Sequence, residues 1–133
     1  MLDIIQAIHS ILRWVIVLVA VIAAVKFAVG WLDKQTYKPM DRGLMSGYTG
    51  LLDLQMLLGI ILFIIYWVQS ETLAGYRVEH AVTMIVAVAV VHLSRRWREA
   101  EDRVKFRNNL LVVAASILLI VAGVFVLPQG WFG

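Results

Sequence analysis

Long apolar stretches constrain the fold of this chain more than any other feature. They cover residues 4–30, 45–68, 78–94 and 108–127. The hydrocarbon core of a bilayer is about 30 Å thick, and a helix of about 20 residues, with a range of about 17–25, crosses it. Each stretch reaches that range, the third only at its lower limit. Because backbone groups in lipid must be hydrogen-bonded within the protein, we expect four transmembrane α-helices.

The composition agrees with a membrane location. The chain has 133 residues, of which 62% are hydrophobic, and its mean hydropathy is +0.85. Soluble domains are nearer to about 45–50% apolar, and a soluble core of this length could not bury the excess. We therefore predict one all-α transmembrane domain over residues 1–133, folded as an antiparallel four-helix bundle. The sequence has no cysteine, which excludes disulfides and Cys-ligated metal centres.

Basic residues predict how the bundle is oriented. Of the twelve Lys and Arg residues, four lie at 26–42 and six at 95–107. Cytoplasmic loops of membrane proteins are enriched in Lys and Arg, so we expect both connections to be cytoplasmic. The N and C termini and the connection at 69–77 then lie on the outer, periplasmic side of a bacterial inner (cytoplasmic) membrane.

The basic run at 95–107 has two interpretations. It is a topology signal with a solvated face, or it binds anionic lipid or a protein partner. We expect no nucleic acid as a partner, since so short a loop offers no recognition fold.

Polar residues within the apolar stretches are the candidate functional residues, because ionisable groups in a membrane are costly. Helix one places Gln6, His9, Ser10 and Arg13 along one face. At 1.5 Å of rise per residue, Arg13 and Asp53 reach nearly the same depth on helices one and two. We therefore expect an Arg13–Asp53 pair, which either locks the two helices together or contributes to a functional contact.

Two histidines suggest a cofactor. His9 and His80 are predicted in the same leaflet, on helices one and three, and opposed imidazoles at one depth are what a six-coordinate haem b needs. They are the candidate metal ligands, with Arg13 beside a haem propionate. A His80–Met84 site for copper or haem and a plain interfacial hydrogen-bonding role stay open. His92 lies about 120° further round helix three, and we expect it to meet cytoplasmic water or lipid headgroups.

Helix four has no ionisable group in its apolar stretch. It repeats Asn109, Ser116 and Gly123 at intervals of seven residues. Small and hydrogen-bonding side chains at such a repeat are typical of helix packing in membranes. We predict that helix four is a scaffold.

Three short motifs, in order on helices one to three, carry a resemblance. They are His9-Ser10-x-x-Arg13-Trp14, Gln55-x-x-x-Gly59 and Glu79-His80-x-x-x-Met84. Together they resemble small four-helix bacterial cytochrome-b-like membrane proteins. The chain is also similar to accessory transmembrane subunits of respiratory or photosynthetic electron-transfer complexes, which often carry no cofactor. The resemblance implies a place near haem or quinone electron transfer, with His9 and His80 at the ligand-like positions.

The expected function is that of a small integral membrane subunit of a quinol-oxidising electron-transfer complex, holding one haem b. Gln55 and Glu79 would support the ligands or handle protons. The expected partners are the lipid bilayer and other membrane subunits, and we do not expect an enzyme acting alone. One alternative is a cofactor-free structural subunit. A small transporter or proton path is another, although the absence of broken helices or inverted repeats argues against it.

Overall fold

The computed structural model describes residues 1–70 and 74–132. Its long helices in this part are α1 (Leu2–Leu32), α2 (Pro39–Ser70), α3 (Gly75–His92) and α4 (Asp102–Phe125), and a 3-10 helix (Leu93–Trp97) continues α3. All four long helices of the described part have the length and apolar character to cross a bilayer, α3 together with the 3-10 helix. The predicted four-helix membrane bundle is confirmed, and the protein is a multi-pass membrane protein. The predicted connection at 69–77 includes residues 71–73, which lie outside the described residues.

Each of the four long helices begins before the apolar stretch that predicted it. The clearest case is α2, which begins at Pro39, a residue preorganised for the first helical position. Two residues later, the Asp41 carboxylate accepts a hydrogen bond from the Lys38 backbone N–H at 2.9 Å, as in a capping box. A polar first turn thus starts α2 six residues before its apolar stretch begins.

The helices form a ring in chain order. Both α1 and α3 pack against α2 and α4, so α1 lies diagonally opposite α3. The antiparallel order brings residues 1 and 132 to one end, together with the last residues of α2 and the first residues of α3; we call this the terminal end. The α1–α2 and α3–α4 connections lie at the other end, which we call the basic end.

Large side chains fill the half of the bundle towards the basic end. Phe27, Tyr48 and Phe106 are fully buried there. The ring of Phe106 occupies the space where a Cβ at Gly30 would lie, and the centroids of Phe27 and Phe106 are 6.3 Å apart. Glycine at position 30 therefore lets α1 and α4 approach closely around an aromatic core.

The predicted packing role of α4 is confirmed, since Asn109, Ser116 and Gly123 are all buried. The Asn109 side chain accepts a hydrogen bond from Trp97 Nε1 at 2.7 Å and donates one to the Tyr37 hydroxyl at 3.0 Å. These bonds give the buried Asn109 side chain partners on the 3-10 helix and in the α1–α2 connection.

Candidate functional site

The half of the bundle towards the terminal end encloses a cavity of about 670 Å³, with lining residues from all four helices. We call it the central cavity. Small residues help to leave this space, among them Gly59 on α2 and Ala81 and Ala87 on α3. Most other lining residues are apolar, and a smaller number of polar side chains are distributed among them. An apolar cavity of about 300–1,000 Å³ with a few polar groups is the usual form of a small-molecule or cofactor site.

His80 enters the central cavity from α3 in a fixed orientation. Its Nδ1 lies 2.7 Å from the Gly123 carbonyl oxygen on α4. A carbonyl only accepts, so Nδ1 carries a proton, and in the neutral imidazole Nε2 keeps its lone pair. Metal-ligating histidines are commonly oriented by such a bond from the other ring nitrogen.

Glycine at position 123 allows the His80 ring to take this orientation. A Cβ at position 123 would lie 2.6 Å from Met84 Cε and 3.2 Å from Thr83 Cγ2. Glycine therefore brings the α4 backbone against α3, where its carbonyl reaches His80.

His9 enters the same cavity from the opposite helix, α1. Its backbone carbonyl accepts a hydrogen bond from Gln55 Nε2 at 2.8 Å. Its ring lies against α2, where a Cβ at Gly59 would be 3.3 Å from His9 Cε1 and 4.0 Å from Nδ1. With Nδ1 turned to α2, the ring leaves Nε2 for other partners, as in His80.

Arg13 is directed to the terminal end, and the predicted Arg13–Asp53 pair is wrong. Its Nη1 donates to the Gly130 carbonyl at 3.5 Å, and its guanidinium lies 5.5 Å from the ring centroids of both Trp14 and Trp131. Side chains on a helix lean towards the helix N-terminus. Because α1 and α2 are antiparallel, the two side chains lean apart although their backbones reach similar depths.

Asp53 pairs instead with His92. His92 Nε2 lies 2.8 Å from Asp53 Oδ1, and both side chains are partly exposed. His92 was expected to meet cytoplasmic water or lipid headgroups; the structure leaves it partly exposed and adds a protein partner that was not predicted. Both residues line a second, smaller cavity of about 270 Å³ at the basic end, which sequence reasoning missed. The available signal was an ionisable residue near the basic end of each of two adjacent helices.

The central cavity gathers most of the residues that the sequence singled out. Its wall includes His9, Arg13, Gln55, His80 and Met84. Glu79 is exposed and is not part of the wall, because it precedes His80 and points about 100° away round the helix.

A second polar contact in the cavity wall was not predicted. The Tyr66 hydroxyl on α2 donates to Gln6 Oε1 on α1 at 2.8 Å. The signal for this contact was present, since Gln6 lies on the same polar face of helix one as His9. It joins the two helices near the terminal end.

Unpaired polar atoms concentrate in the wall of the central cavity. Four buried side-chain atoms in the described part of the chain have no hydrogen-bond partner, and three of them belong to residues of this wall: His9 Nδ1, Arg13 Nε and Gln55 Oε1. Buried polar atoms nearly always have a partner, and an unpaired one costs about 1–3 kcal/mol. The residues that line the central cavity therefore carry polar atoms whose hydrogen bonds are not made within the protein.

A haem is one group that this donor set could hold. Within residues 1–70 and 74–132 no cluster of three or more His, Cys, Asp or Glu side chains could hold a metal ion. A haem iron needs only axial ligands from the protein. His9 and His80 could supply these from opposite helices, with Arg13 available to a propionate.

The central cavity is open towards the lipid-facing surface between α2 and α3. Three of its lining residues are large, apolar and exposed: Ile60 at 41%, Val82 at 56% and Ile85 at 49%. A molecule dissolved in the bilayer could enter by this route without crossing water.

No protein-family model, curated protein or solved structure matches this chain. The fold and the site define a multi-pass four-helix membrane bundle with a cofactor-sized cavity. Its function has to be argued from its own residues.

Proposed function

We propose that this protein is a small integral membrane subunit of a bacterial electron-transfer complex and that it binds one haem b in the central cavity. His9 and His80 would hold the haem iron, and Arg13 would neutralise a propionate. The observation that carries the proposal is the pair of imidazoles from diagonally opposed helices, each with Nδ1 turned to a flanking helix. Arg13 lines the cavity, and the ion pairs within residues 1–70 and 74–132 do not include it, which supports an anionic partner for its guanidinium. When bound, the haem would supply one-electron transfer within the bilayer.

The test is a reduced-minus-oxidised absorbance spectrum of the detergent-purified chain, with a pyridine haemochrome assay for stoichiometry. We expect a b-type band at about one haem per chain. His9→Ala and His80→Ala should each remove the band, because each deletes one axial ligand.

The matched control is His92→Ala. His92 lies at the basic end and does not line the central cavity, so its variant should keep the band. Retention of the band in both His9→Ala and His80→Ala would overturn the ligation. A folded wild-type protein without haem, purified from haem-replete cells, would overturn the haem proposal as a whole.

A second candidate is a quinone site in the same cavity, favoured by the opening between α2 and α3. Isoprenoid quinones are confined to the bilayer, and a hydroxyl group of the reduced quinol could donate to the amide oxygen of Gln55, which has no partner within the protein. Ala81→Trp would narrow the cavity, whereas Ala89→Trp places the same side chain on an exposed position of α3 outside it. We expect only Ala81→Trp to weaken binding of a photoreactive quinone analogue. Equal labelling of both variants and the wild type would exclude this candidate.

A further inference from the structure

The smaller cavity, at the basic end, has a wall that differs from that of the central cavity. We call it the basic cavity. It lies between α2, the end of α3, the 3-10 helix and α4, and its volume is about 270 Å³. Four cationic side chains line it: Arg42, Arg95, Arg98 and Lys105. They come from three different parts of the chain, so the fold, and not one basic run, brings them together.

These cations are incompletely neutralised. Within residues 1–70 and 74–132, the ion pairs are Lys26–Asp41 and His92–Asp53, and neither includes a cation named above. Asp53 is the only carboxylate among the described lining residues, and it already accepts from His92 at 2.8 Å. Like charges around one space repel each other, and an anion placed between them removes that repulsion.

The other polar groups in the wall do not add negative charge. Burial raises the pKa of the Tyr37 hydroxyl, so this phenol stays neutral at physiological pH. The Thr49 hydroxyl donates its hydrogen bond to the Met45 carbonyl. The Lys105 ammonium nitrogen lies 5.2 Å from the centre of the Tyr37 ring.

Small residues on α2 create the space between these cations. Ser46 and Gly50 lie one turn apart on the face that carries Arg42 and Asp53. A Cβ at Gly50 would meet no other atom within 4 Å. The wall of α2 is therefore a shallow recess with a cation at one end.

From this arrangement we infer that the basic cavity binds a phosphate group. Arginine guanidinium groups bind phosphate oxygens through paired N–H donors. The cavity also lies where α3 passes into the 3-10 helix beside the half-buried Trp97, a residue type enriched at the border of a bilayer. The source we expect is accordingly the headgroup of an anionic phospholipid, recognised between helices.

The experiment counts bound lipid on the delipidated, detergent-purified chain by native mass spectrometry. The probes are phosphatidylglycerol, phosphatidylcholine and inorganic phosphate. We expect one phosphatidylglycerol to be retained at concentrations where phosphatidylcholine is not. Arg95→Gln with Arg98→Gln should weaken this binding by roughly 30-fold, since each basic residue near anionic lipid contributes about a fivefold factor.

Two matched controls separate a defined site from a diffuse basic surface. Arg103→Gln with Arg107→Gln removes the same charge from exposed positions of α4 outside the cavity and should weaken binding less, because these side chains do not line the site. Gly50→Leu fills the recess without changing the charge and should weaken binding. Gly47→Leu, where a Cβ also meets nothing within 4 Å, lies outside the wall and should not.

Several outcomes would overturn the inference. Equal loss in both arginine pairs would show that only overall charge matters. Equal retention of phosphatidylcholine, or binding unchanged in Arg95→Gln/Arg98→Gln and in Gly50→Leu, would also exclude a phosphate site. Displacement of the lipid by millimolar inorganic phosphate, with the same pattern across variants, would keep the phosphate site and reject the lipid as its source.

Discussion

Single polar residues in the core of this bundle are paired between helices. Tyr48 and Ser116, both fully buried, illustrate this. The Ser116 hydroxyl donates to the Val113 carbonyl at 2.8 Å, so in its 2.7 Å contact with Tyr48 it accepts. Because α2 and α4 are diagonal in the bundle, this one bond connects two helices across the core.

The bond between Tyr48 and Ser116 should have a measurable energy. Interhelical hydrogen bonds in membranes average about 0.6 kcal/mol and reach about 1.7 kcal/mol. We expect Ser116→Ala and Tyr48→Phe each to lower the free energy of unfolding by about 1 kcal/mol. A double-mutant cycle in mixed micelles measures their coupling. Strictly additive single variants would show that the bond contributes nothing.

At the residue scale, helical faces and depths identified much of the candidate site. The polar face of helix one and the position of His80 on helix three led to His9, Arg13 and His80, which all line the central cavity. The sequence failed on the Arg13–Asp53 pair, because a depth estimate follows the backbone and these two side chains lean in opposite directions. It also could not give the size of the cavity, which depends on how all four helices pack.

At the scale of elements, one carboxylate joins α1 to α2. Asp41 is 1% exposed, and its Oδ1 lies 2.8 Å from Lys26 Nζ on α1. Its other oxygen, Oδ2, accepts from the Lys38 backbone N–H. Lys26 also donates to Gln35 in the connection at 3.2 Å. Asp41 therefore caps α2 and, through its contact with Lys26, fixes the turn that leads into α2.

Asp41→Ala should be strongly destabilising. It removes the cap and leaves Lys26 partly buried without its partner, and breaking a buried pair costs about 3–5 kcal/mol. Since Lys26 is 29% exposed, we expect a loss of stability at the lower end of this range, about 3 kcal/mol. Reversible unfolding in mixed micelles measures this loss.

Two further variants separate the cap from the charge. The side chain in Asp41→Asn can still accept the hydrogen bond at the cap. The free energy of unfolding should therefore fall less than in Asp41→Ala. Asp33→Ala, an exposed position in the same turn, should change stability by less than about 0.5 kcal/mol. Equal losses in the Asp41 and Asp33 alanine variants would contradict the role given to Asp41.

The elements themselves were the most predictable part of the fold. Apolar length predicted all four membrane helices of the described part, because only helices satisfy backbone groups in lipid. It misplaced their ends, since the first turns of α2 and α4 are polar and begin at Pro39 and Asp102. Hydropathy detects the membrane-buried part of a helix, whereas local capping decides where the helix starts.

On the scale of the whole molecule, the two cavities divide the bundle. The central cavity is mostly apolar, opens towards lipid and contains His9 and His80. The basic cavity is lined by cations and holds the Asp53–His92 pair. Their positions along the membrane normal follow from the orientation that the basic residues predict, with the termini outside. The central cavity would then lie in the outer leaflet and the basic cavity at the cytoplasmic border.

Because the sequence has no cysteine, this orientation can be tested with single introduced cysteines. Gln69 lies at the terminal end and Glu99 at the basic end, and both are exposed. In intact bacterial cells, a membrane-impermeant maleimide should label Gln69→Cys. It should label Glu99→Cys only after the inner membrane is permeabilised, because Lys and Arg are retained on the cytoplasmic side. The reverse pattern would invert the bundle and place the proposed haem in the cytoplasmic leaflet, whereas labelling of both sites in intact cells would contradict a single orientation.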